Sequence, residues 1–400
     1  MHTDTGDVFM PVQKAARIDF QPLPGDVSCE IAVVGGGISG ALVAWELAEA
    51  EADVVVVDRG GGGQGSTAAT TGLLMYELDT SMVELAGRYG EAAAARMYQL
   101  TLAANGRFSG LTRDIGDCCE LLPRSSLYLA SSPADVPALE AEYAIRRRHG
   151  FALELLEPDE ILGRFGFSRP AALLNHDAFE IDARRLTQGL FRTAIGRGLR
   201  AYGNCDVLGY EPAGEGVSVH CAKDRHISAK RVVFATGYHT ARYIGRPIGQ
   251  LMTTYTIKTQ PMGEVSGWER RTMIWETARP YFYVRDTADG RAICGGGDEP
   301  GTDPARRVAA LAEKSHMLRG RFEDLFPSAH PKIDRAWAST FGTSKDGMPF
   351  IGTLTDFPRA YFSLGFGGNG ITFSLIAAEI IRDLYTGKAN GDARLFRFDR

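Results

Sequence analysis

The sequence predicts an α/β fold in which a Rossmann-like nucleotide-binding domain is interleaved with an antiparallel-sheet α+β domain. Three observations carry that prediction. A short β-branched strand near the N-terminus runs into Gly35-x-Gly37-x-x-Gly40 and then a helical pattern. A second glycine cluster, Gly365 to Gly370, feeds another helix near the C-terminus. Between them, residues 241 to 330 are rich in β-branched and aromatic residues.

The first unit reads "CEIAVVGGGISGALVAWELAEAEADVVVVDRG", with strands at Ile31 to Val34 and Val54 to Val57 and a helical pattern joining them. Gly35 permits the tight turn, Gly37 lets the backbone approach a pyrophosphate, and Gly40 allows close helix-to-strand packing. The helix start at Ile38 and Ser39 offers N–H donors and partial positive charge. Asp58 closes the second strand about 20 residues beyond the last glycine, where a carboxylate receives a ribose 2′-hydroxyl and disfavours a 2′-phosphate; Arg59 follows it. A ligand with an ADP moiety fits this unit, and NAD and FAD share that half.

Past Arg59, "GGGGQGSTAATTGLLMYELD" is too rich in glycine and hydroxyl groups for a core element and reads as a loop. "RVVFATGY", Arg231 to Tyr238, is an apolar strand closing on Ala235-Thr236-Gly237, small residues that let a strand end pass close to a cofactor. Toward the C-terminus, "DGMPFIG" (Asp346 to Gly352) precedes "GFGGNGITFSL". Apolar Leu375, Ile376, Ile380, Ile381 and Leu384 follow a helical period, predicting an amphipathic helix from Ile371 to Tyr385 with Gly387 as its stop. A helix start carries roughly +0.5 charge equivalent, so this cradle also suits an electron-rich group.

In this order the motifs resemble the FAD-dependent oxidoreductase superfamily of D-amino-acid oxidase, glycine oxidase and sarcosine oxidase, and the resemblance runs the length of the chain. It implies one extended FAD gripped at both ends. The pyrophosphate would lie at Gly35, Gly37, Ile38, Ser39 and Gly40. The flavin would lie at Gly365, Gly367, Gly368, Asn369, Gly370, Ile371 and Thr372, where the helix start meets the negative charge that a reduced ring develops. The resemblance further implies that Ser66, Thr67, Thr71, Gly72 and Leu73 run along the pyrophosphate and under the flavin. It places the backbone of Val207 in "NCDVLGYEP" against the adenine, and Ala235, Thr236 and Gly237 beside the cofactor.

On this reading residues 1–85, 151–240 and 331–400 form the FAD-binding domain, and 86–150 and 241–330 the substrate domain. "LLPRSSLYLAS" reads as strands separated by a turn. "YTIKTQPM", "TMIWETARPYFYVRD" and "GRAICGGGD" read as strands of one antiparallel sheet, with hairpin punctuation at "TADG". The resemblance implies that this sheet covers the flavin, with the substrate held between them.

The pattern also departs from the family. The amino-acid oxidases of this group share a W-x-G-x-R-P motif whose arginine clamps the substrate carboxylate in bidentate fashion. Here the stretch is "WASTFG": Trp337 stays and Phe341 replaces the arginine. A buried carboxylate without a cation costs several kcal/mol, which disfavours free glycine or D-amino acids in that pose. Thr372 stands where sarcosine-oxidase-like enzymes carry a carboxylate-binding lysine. Ser339 stands where they attach flavin through cysteine, which implies noncovalent FAD. Their oxygen-activating lysine aligns near Ile293, leaving O2 or a carrier as the electron acceptor. Substitutes in a substrate pocket are Lys258, Arg279, Tyr281, Tyr283 and Arg285 from the sheet and Tyr76 from "MYELD". Glu77 and Asp79 of that segment could receive a cationic amine, although Asp79 also reads as a helix cap. His239 reads as a satisfied structural imidazole.

Composition narrows the class. A chain of 400 residues, 44% hydrophobic and 23% charged with net charge -5, is an ordinary globular chain long enough for two domains. It has no basic stripe, and "IRRRHG" around Arg146 reads as a solvated helix end, so nucleic acid is not an expected partner. The cysteines lack C-x-x-C spacing and read as reduced, and no metal site is expected. No apolar run approaches the ~18 residues of a membrane span, and "MHTDTGDVFMPVQKAARIDF" lacks an apolar signal core, which suggests a cytoplasmic protein.

Motifs and resemblance together predict an FAD-dependent oxidoreductase. It would remove a hydride from the carbon beside an amine, in an amino acid derivative or other small amine, giving an imine that hydrolyses. The alternatives are a 2-hydroxy-acid or alcohol dehydrogenase on the same scaffold, or a flavin-binding subunit without turnover.

Overall fold

The computed structural model describes residues 2–4 and 18–400; most of the N-terminal segment quoted above lies outside them. Two sheets organise the chain. The first runs, in spatial order, through Val207–Ala213, Gly216–Cys221, Arg225–Phe234, Val27–Val34, Val54–Val57, Arg200–Gly203 and Gln21–Pro22. Its centre is parallel, with Val34 opposite both Val57 and Phe234. Strand Val54–Val57 is four valines, all buried, as a parallel strand covered on both faces requires. Arg225–Phe234 pairs Gly216–Cys221 with its first half and Ala360–Leu364 with its second. The strand ends at Val34, Val57, Phe234 and Leu364 therefore share one edge.

Helices Ile38–Glu49, Ala183–Gly196 and Gly370–Thr386 pack together against this sheet. The last ends at Gly387 with φ 73°, the left-handed stop that the sequence predicts. It is buried on nearly all sides rather than one, because helices Ile38–Glu49 and Glu91–Asp114 both lean on it.

The second sheet runs His2–Asp4, Ile333–Thr343, Gln250–Thr259, Ala292–Pro300, Phe282–Asp286, Met273–Glu276, Leu122–Leu129, Ala172–Glu180 and Leu73–Leu74, with Glu154–Leu156 beside Ala172–Glu180. It is antiparallel except for two pairings, His2–Asp4 with Ile333–Thr343 and Met273–Glu276 with Leu122–Leu129. Helix Pro304–Leu325 packs across it through Leu311, Leu318, Phe322 and Leu325. The "TADG" hairpin forms, with Asp286 opposite Ala292 and Gly290 at φ 75°.

Three expectations are corrected. "LLPRSSLYLAS" is one strand, Leu122–Leu129, not two. The segments 1–85, 151–240 and 331–400 do not belong wholly to the nucleotide-binding sheet: His2–Asp4, Leu73–Leu74, Glu154–Leu156, Ala172–Glu180 and Ile333–Thr343 lie in the second sheet. Nothing in their β pattern says which of two sheets they join. Arg146 is not at a solvated helix end. It is 1% exposed and donates to Glu142 at 2.7 Å and Glu77 at 3.0 Å, while its neighbours Arg147 and Arg148 are exposed.

No helix among the described residues is long and apolar enough to cross a membrane. No group of His, Cys, Asp and Glu among them is placed to hold a metal ion, and no disulfide joins the six cysteines.

Candidate active site

The first glycine cradle forms where strand Val27–Val34 turns into helix Ile38–Glu49. Gly35 sits at φ 120°, and a Cβ there would lie 2.5 Å from the Ala235 carbonyl oxygen, so the A-T-G strand end passes directly against it. A Cβ at Gly40 would lie 1.8 Å from the Gly35 carbonyl oxygen, which makes glycine obligatory for this helix-to-turn packing. No side chain caps the helix at Gly37. Asp58 braces the cradle: its carboxylate accepts from the N–H groups of Gly36 (2.7 Å), Gly60 (2.7 Å) and Gly61 (3.0 Å). A carboxylate has about four acceptor sites, so capacity for a hydroxyl remains. From the neighbouring loop, Thr67 Oγ1 accepts the Ile38 N–H at 2.9 Å.

The second cradle follows strand Ala360–Leu364. Gly365 and Gly367 have φ of 76° and 55°, and helix Gly370–Thr386 starts at Asn369 without a side-chain cap. The loop is tied to the MYELD segment. Gly368 N–H donates to Asp79 Oδ2 (3.2 Å), and Asn369 Nδ2 donates to the Glu77 carbonyl (2.9 Å). A Cβ at Gly368 would lie 2.8 Å from Asp79 Oδ2 and 3.4 Å from the Tyr281 hydroxyl oxygen. The two helices behind the cradles touch: the Ser39 and Ser374 hydroxyls are 2.6 Å apart.

Both cradles open onto one cavity of about 1350 Å³. Gly35, Gly37, Ile38, Ser39, Asp58 and Arg59 line one end, Gly365, Gly367, Gly368, Asn369, Gly370 and Ile371 another. Ser66, Thr67, Thr71 and Leu73 line it from the loop, as do Val207 and Ala235, Thr236 and Gly237. The second sheet contributes Thr254, Thr256, Trp275, Tyr281, Tyr283 and Asp298, and strand Ile333–Thr343 contributes Ser339 and Phe341.

The profile of the family described as FAD dependent oxidoreductase (DAO) matches residues 30–384. The chain belongs to that family. Gamma-glutamylputrescine oxidoreductase of Escherichia coli (strain K12) is 26% identical over 385 residues, spanning 92% of this chain and 86% of that protein. Glycine oxidase of Geobacillus kaustophilus (strain HTA426) is 25% identical, over 90% of this chain and 93% of that protein. The crystal structure of glycine oxidase from Geobacillus kaustophilus superposes with a TM-score of 0.79 at 20% identity, covering 91% of this chain and 96% of that one.

This FAD dependent oxidoreductase has room and shape for its cofactor. Both cradles exclude a Cβ, both end at a helix start whose own N-cap residue makes no side-chain bond, and one continuous cavity joins them. Three residues predicted at the cofactor do not line the cavity. Gly40 supports the turn from behind. Gly72 (φ 73°) makes a tight turn against strand Ala172–Glu180, where a Cβ would lie 2.1 Å from the Ile181 carbonyl oxygen. Thr372 is 1% exposed and turns inward, donating to Asn105 Oδ1 at 2.8 Å.

Of the predicted substrate-pocket residues, only Tyr281 and Tyr283 line the cavity of the oxidoreductase. Tyr76 is buried in the core, stacked on Phe151 with ring centroids 5.2 Å apart. Arg279 spends its guanidinium on the carbonyls of Glu276, Thr277 and Ala278 at 3.0–3.1 Å and of Asp79 at 3.4 Å. Arg285 is buried, donates to the Thr71 carbonyl, and lies 3.5 Å from the Glu180 carboxylate. It props the cofactor-side loop from below. Lys258 sits opposite Ile293, away from the cavity lining, and burial lowers its pKa.

Asp79 and Asp298 line the cavity as well. Asp79 does not cap the following helix, because Ser81 does so in a capping box with Glu84; its carboxylate is left for Gly368. Asp298, at the end of "GGGD", was legible only as strand. Burial pushes its carboxyl up to about 6; a hydrogen bond with Thr254 opposes the rise and the charge of Asp79 adds to it. The Tyr281 hydroxyl is pushed well above its ordinary range by burial and then by Asp79 and Asp298. Glu77 also lines the cavity, but it is bound to Arg146 and accepts from Ser126 at 2.6 Å. Ser126 in turn accepts the Trp275 indole N–H at 3.1 Å, which fixes that ring in the cavity wall. His239 lines the cavity too, its pKa lowered by burial and by Arg59 and Arg242.

Proposed function

We propose that the enzyme oxidises the C–H bond beside an amine, passing the hydride to noncovalently held FAD and releasing an imine that water hydrolyses. The observation that carries this reading is the tyrosine-walled space beside the second cradle, where Tyr281, Tyr283, Trp275 and Phe341 leave room for a small organic molecule next to Gly368. FAD, when bound, supplies the two-electron acceptor, and the protein supplies orientation and electrostatics.

The roles follow from placement. Gly35, Gly37 and the helix start at Ile38 and Ser39 would hold the pyrophosphate, with Asp58 and Arg59 at the ribose and Val207 at the adenine. The helix start at Gly370 would favour negative charge on the ring. Tyr281 and Tyr283, two residues apart at the start of strand Phe282–Asp286 and so on one face of it, would exclude water and fix the substrate carbon. Ser339 offers no thiol for covalent attachment. One relative is named for gamma-glutamylputrescine and another for glycine, and both compounds contain an amine.

The test is anaerobic mixing of the FAD-loaded enzyme with panels of amines, amino acids and 2-hydroxy acids, following the flavin's visible absorbance. Bleaching by amine-bearing compounds, with aldehyde or oxo product and released amine, is expected. Bleaching by 2-hydroxy acids alone would overturn the reading in favour of alcohol oxidation.

A further inference from the structure

We propose that Glu77 is a positioning residue for the reaction: it ties the flavin-end loop to Trp275 of the aromatic wall, so that one buried side chain sets the gap in which the reacting C–H bond is held. The inference rests on the reading above, in which a small organic molecule is oxidised between that loop and that wall, and deepens it.

The segment Met75 to Asp79 follows strand Leu73–Leu74. Met75, Glu77 and Asp79 line the cavity, while Tyr76 and Leu78 between them pack in the core, an alternation like that of a strand. Glu77 is only 1% exposed, so it acts through its neighbours.

Its main chain and its side chain serve different walls. The Glu77 carbonyl accepts from Asn369 Nδ2 at 2.9 Å, and helix Gly370–Thr386 starts at Asn369. The Glu77 carboxylate accepts from the Ser126 hydroxyl at 2.6 Å, and Ser126 Oγ accepts the Trp275 indole N–H at 3.1 Å. An indole nitrogen only donates and a serine has one hydroxyl proton, so that proton goes to Glu77 and the direction of the chain is fixed. Asn369, Glu77, Ser126 and Trp275 are thus joined by three hydrogen bonds. Trp275 stacks on Tyr128 with ring centroids 3.8 Å apart and meets Tyr281 edge-on at 6.5 Å, so its placement bears on the tyrosines as well.

The fixed point behind Glu77 is ionic. Arg146 donates to Glu77 at 3.0 Å and to Glu142 at 2.7 Å, and Glu142 accepts the N–H groups of Met82 (2.9 Å) and Val83 (3.0 Å) at the start of helix Met82–Tyr89. A buried ion pair of this kind adds little stability over apolar packing of the same shape. What it adds is direction, because charge-assisted hydrogen bonds hold the carboxylate in one orientation. Asp79 runs a second, looser tie, accepting from the Gly368 N–H at 3.2 Å and, through its carbonyl, from Arg279 at 3.4 Å.

The consequence is kinetic. Misplacing a bound substrate by about 1 Å costs about 100-fold in rate, so loosening the tie slows flavin reduction more than it weakens binding.

The test is a double-mutant cycle between Glu77→Gln and Trp275→Phe, the second of which keeps a ring and removes the indole N–H. In the substrate-free holoenzyme, Glu77→Gln should shift the tryptophan emission, and the shift should vanish in the Trp275→Phe background. For kinetics the probe is whichever of glycine, N-methylglycine, 1,4-diaminobutane and lactate bleaches the wild-type flavin fastest under anaerobic conditions. Each single substitution should lower the limiting rate of flavin reduction about 10-fold or more with the apparent Kd within about threefold, and the double variant should be no slower than the slower single one. Rate losses that multiply, an emission shift that persists without Trp275, or an unchanged limiting rate in Glu77→Gln overturn the assignment and leave the amine chemistry standing. Bleaching by lactate alone overturns the amine chemistry, and the cycle run with lactate still decides the role of Glu77. Should Glu77→Gln fail to fold or to retain FAD, Ser126→Ala takes its place in the cycle, since it cuts the same path and leaves the Arg146 pair intact.

Discussion

Gly40 lies where even a methyl group has no space, 1.8 Å from a backbone oxygen that cannot move without opening the cradle. Gly40→Ala is expected to cost about 3 kcal/mol or more, and to lower the flavin content of the purified protein; urea unfolding and the flavin-to-protein absorbance ratio measure both. Arg146 illustrates the opposite hazard, a buried charge that only its partners make tolerable. Replacing it with methionine leaves Glu77 and Glu142 buried without their cation, an expected loss of about 3–5 kcal/mol. Because Glu77 also holds Ser126 and through it Trp275, that variant should shift the tryptophan fluorescence as well as stability. The glycines were readable from sequence because their spacing encodes a backbone requirement. Arg146 was not, because a triplet of arginines at a helix end looks the same whether one of them points inward or none does. Asp298 was hidden for a related reason: an acid at a strand end is usually solvated, and only the sheet's position over the cavity makes it a wall.

At the scale of elements, the pairing of the two helices behind the cradles decides how far apart the cradles stand. Helices Ile38–Glu49 and Gly370–Thr386 approach closely enough for Ser39 and Ser374 to share a hydrogen bond. Ser374→Leu should push them apart and release FAD, seen as a rise of free-flavin fluorescence, while Ser374→Ala should cost only about 1 kcal/mol. Equal flavin retention in both variants would show that helix spacing does not matter. The existence of both helices was plain in the apolar period. Their contact was not, since the two segments are separated by most of the chain and nothing local reports the distance. The strands of the second sheet show the same limit. Leu122–Leu129 and Ala172–Glu180 pair with each other across an intervening pair of helices, and β propensity identifies a strand without naming its neighbour.

For the whole molecule, FAD is expected to act as a clasp between the sheets. FAD at 100 times its Kd should stabilise the fold by about 2.7 kcal/mol, and thermal denaturation at rising FAD concentrations checks this; a melting temperature indifferent to FAD would contradict it. A second clasp is ionic. In "DGMPFIG", Asp346 accepts hydrogen bonds from Arg400, Tyr89, Ser344 and the Met348 N–H, tying the turn between the two sheets to the end of the described chain. Burial alone would raise its pKa, but Arg400 and Tyr89 outweigh that and hold the carboxyl well below its usual range. The stability this gives is complete above the ordinary carboxylate pKa of about 3.9, and is lost as pH falls further through the depressed value. Arg400→Ala should therefore destabilise by about 2 kcal/mol at pH 7, with the difference from wild type shrinking in urea titrations below about pH 4.

The order in which the chain visits its two sheets carries a last implication. After His2–Asp4 in the second sheet it enters the nucleotide-binding sheet at Gln21–Pro22, leaves for the second at Leu73–Leu74, returns by Arg200–Gly203, departs again at Gln250–Thr259 and comes home at Phe350–Gly352. No single scission of the polypeptide can liberate either half intact. The two therefore melt as one cooperative body, and a recombination event that swaps substrate walls between relatives has to import several separate pieces at once. New specificity in such a scaffold comes more readily by exchanging individual side chains on the wall, such as Phe341, than by trading modules.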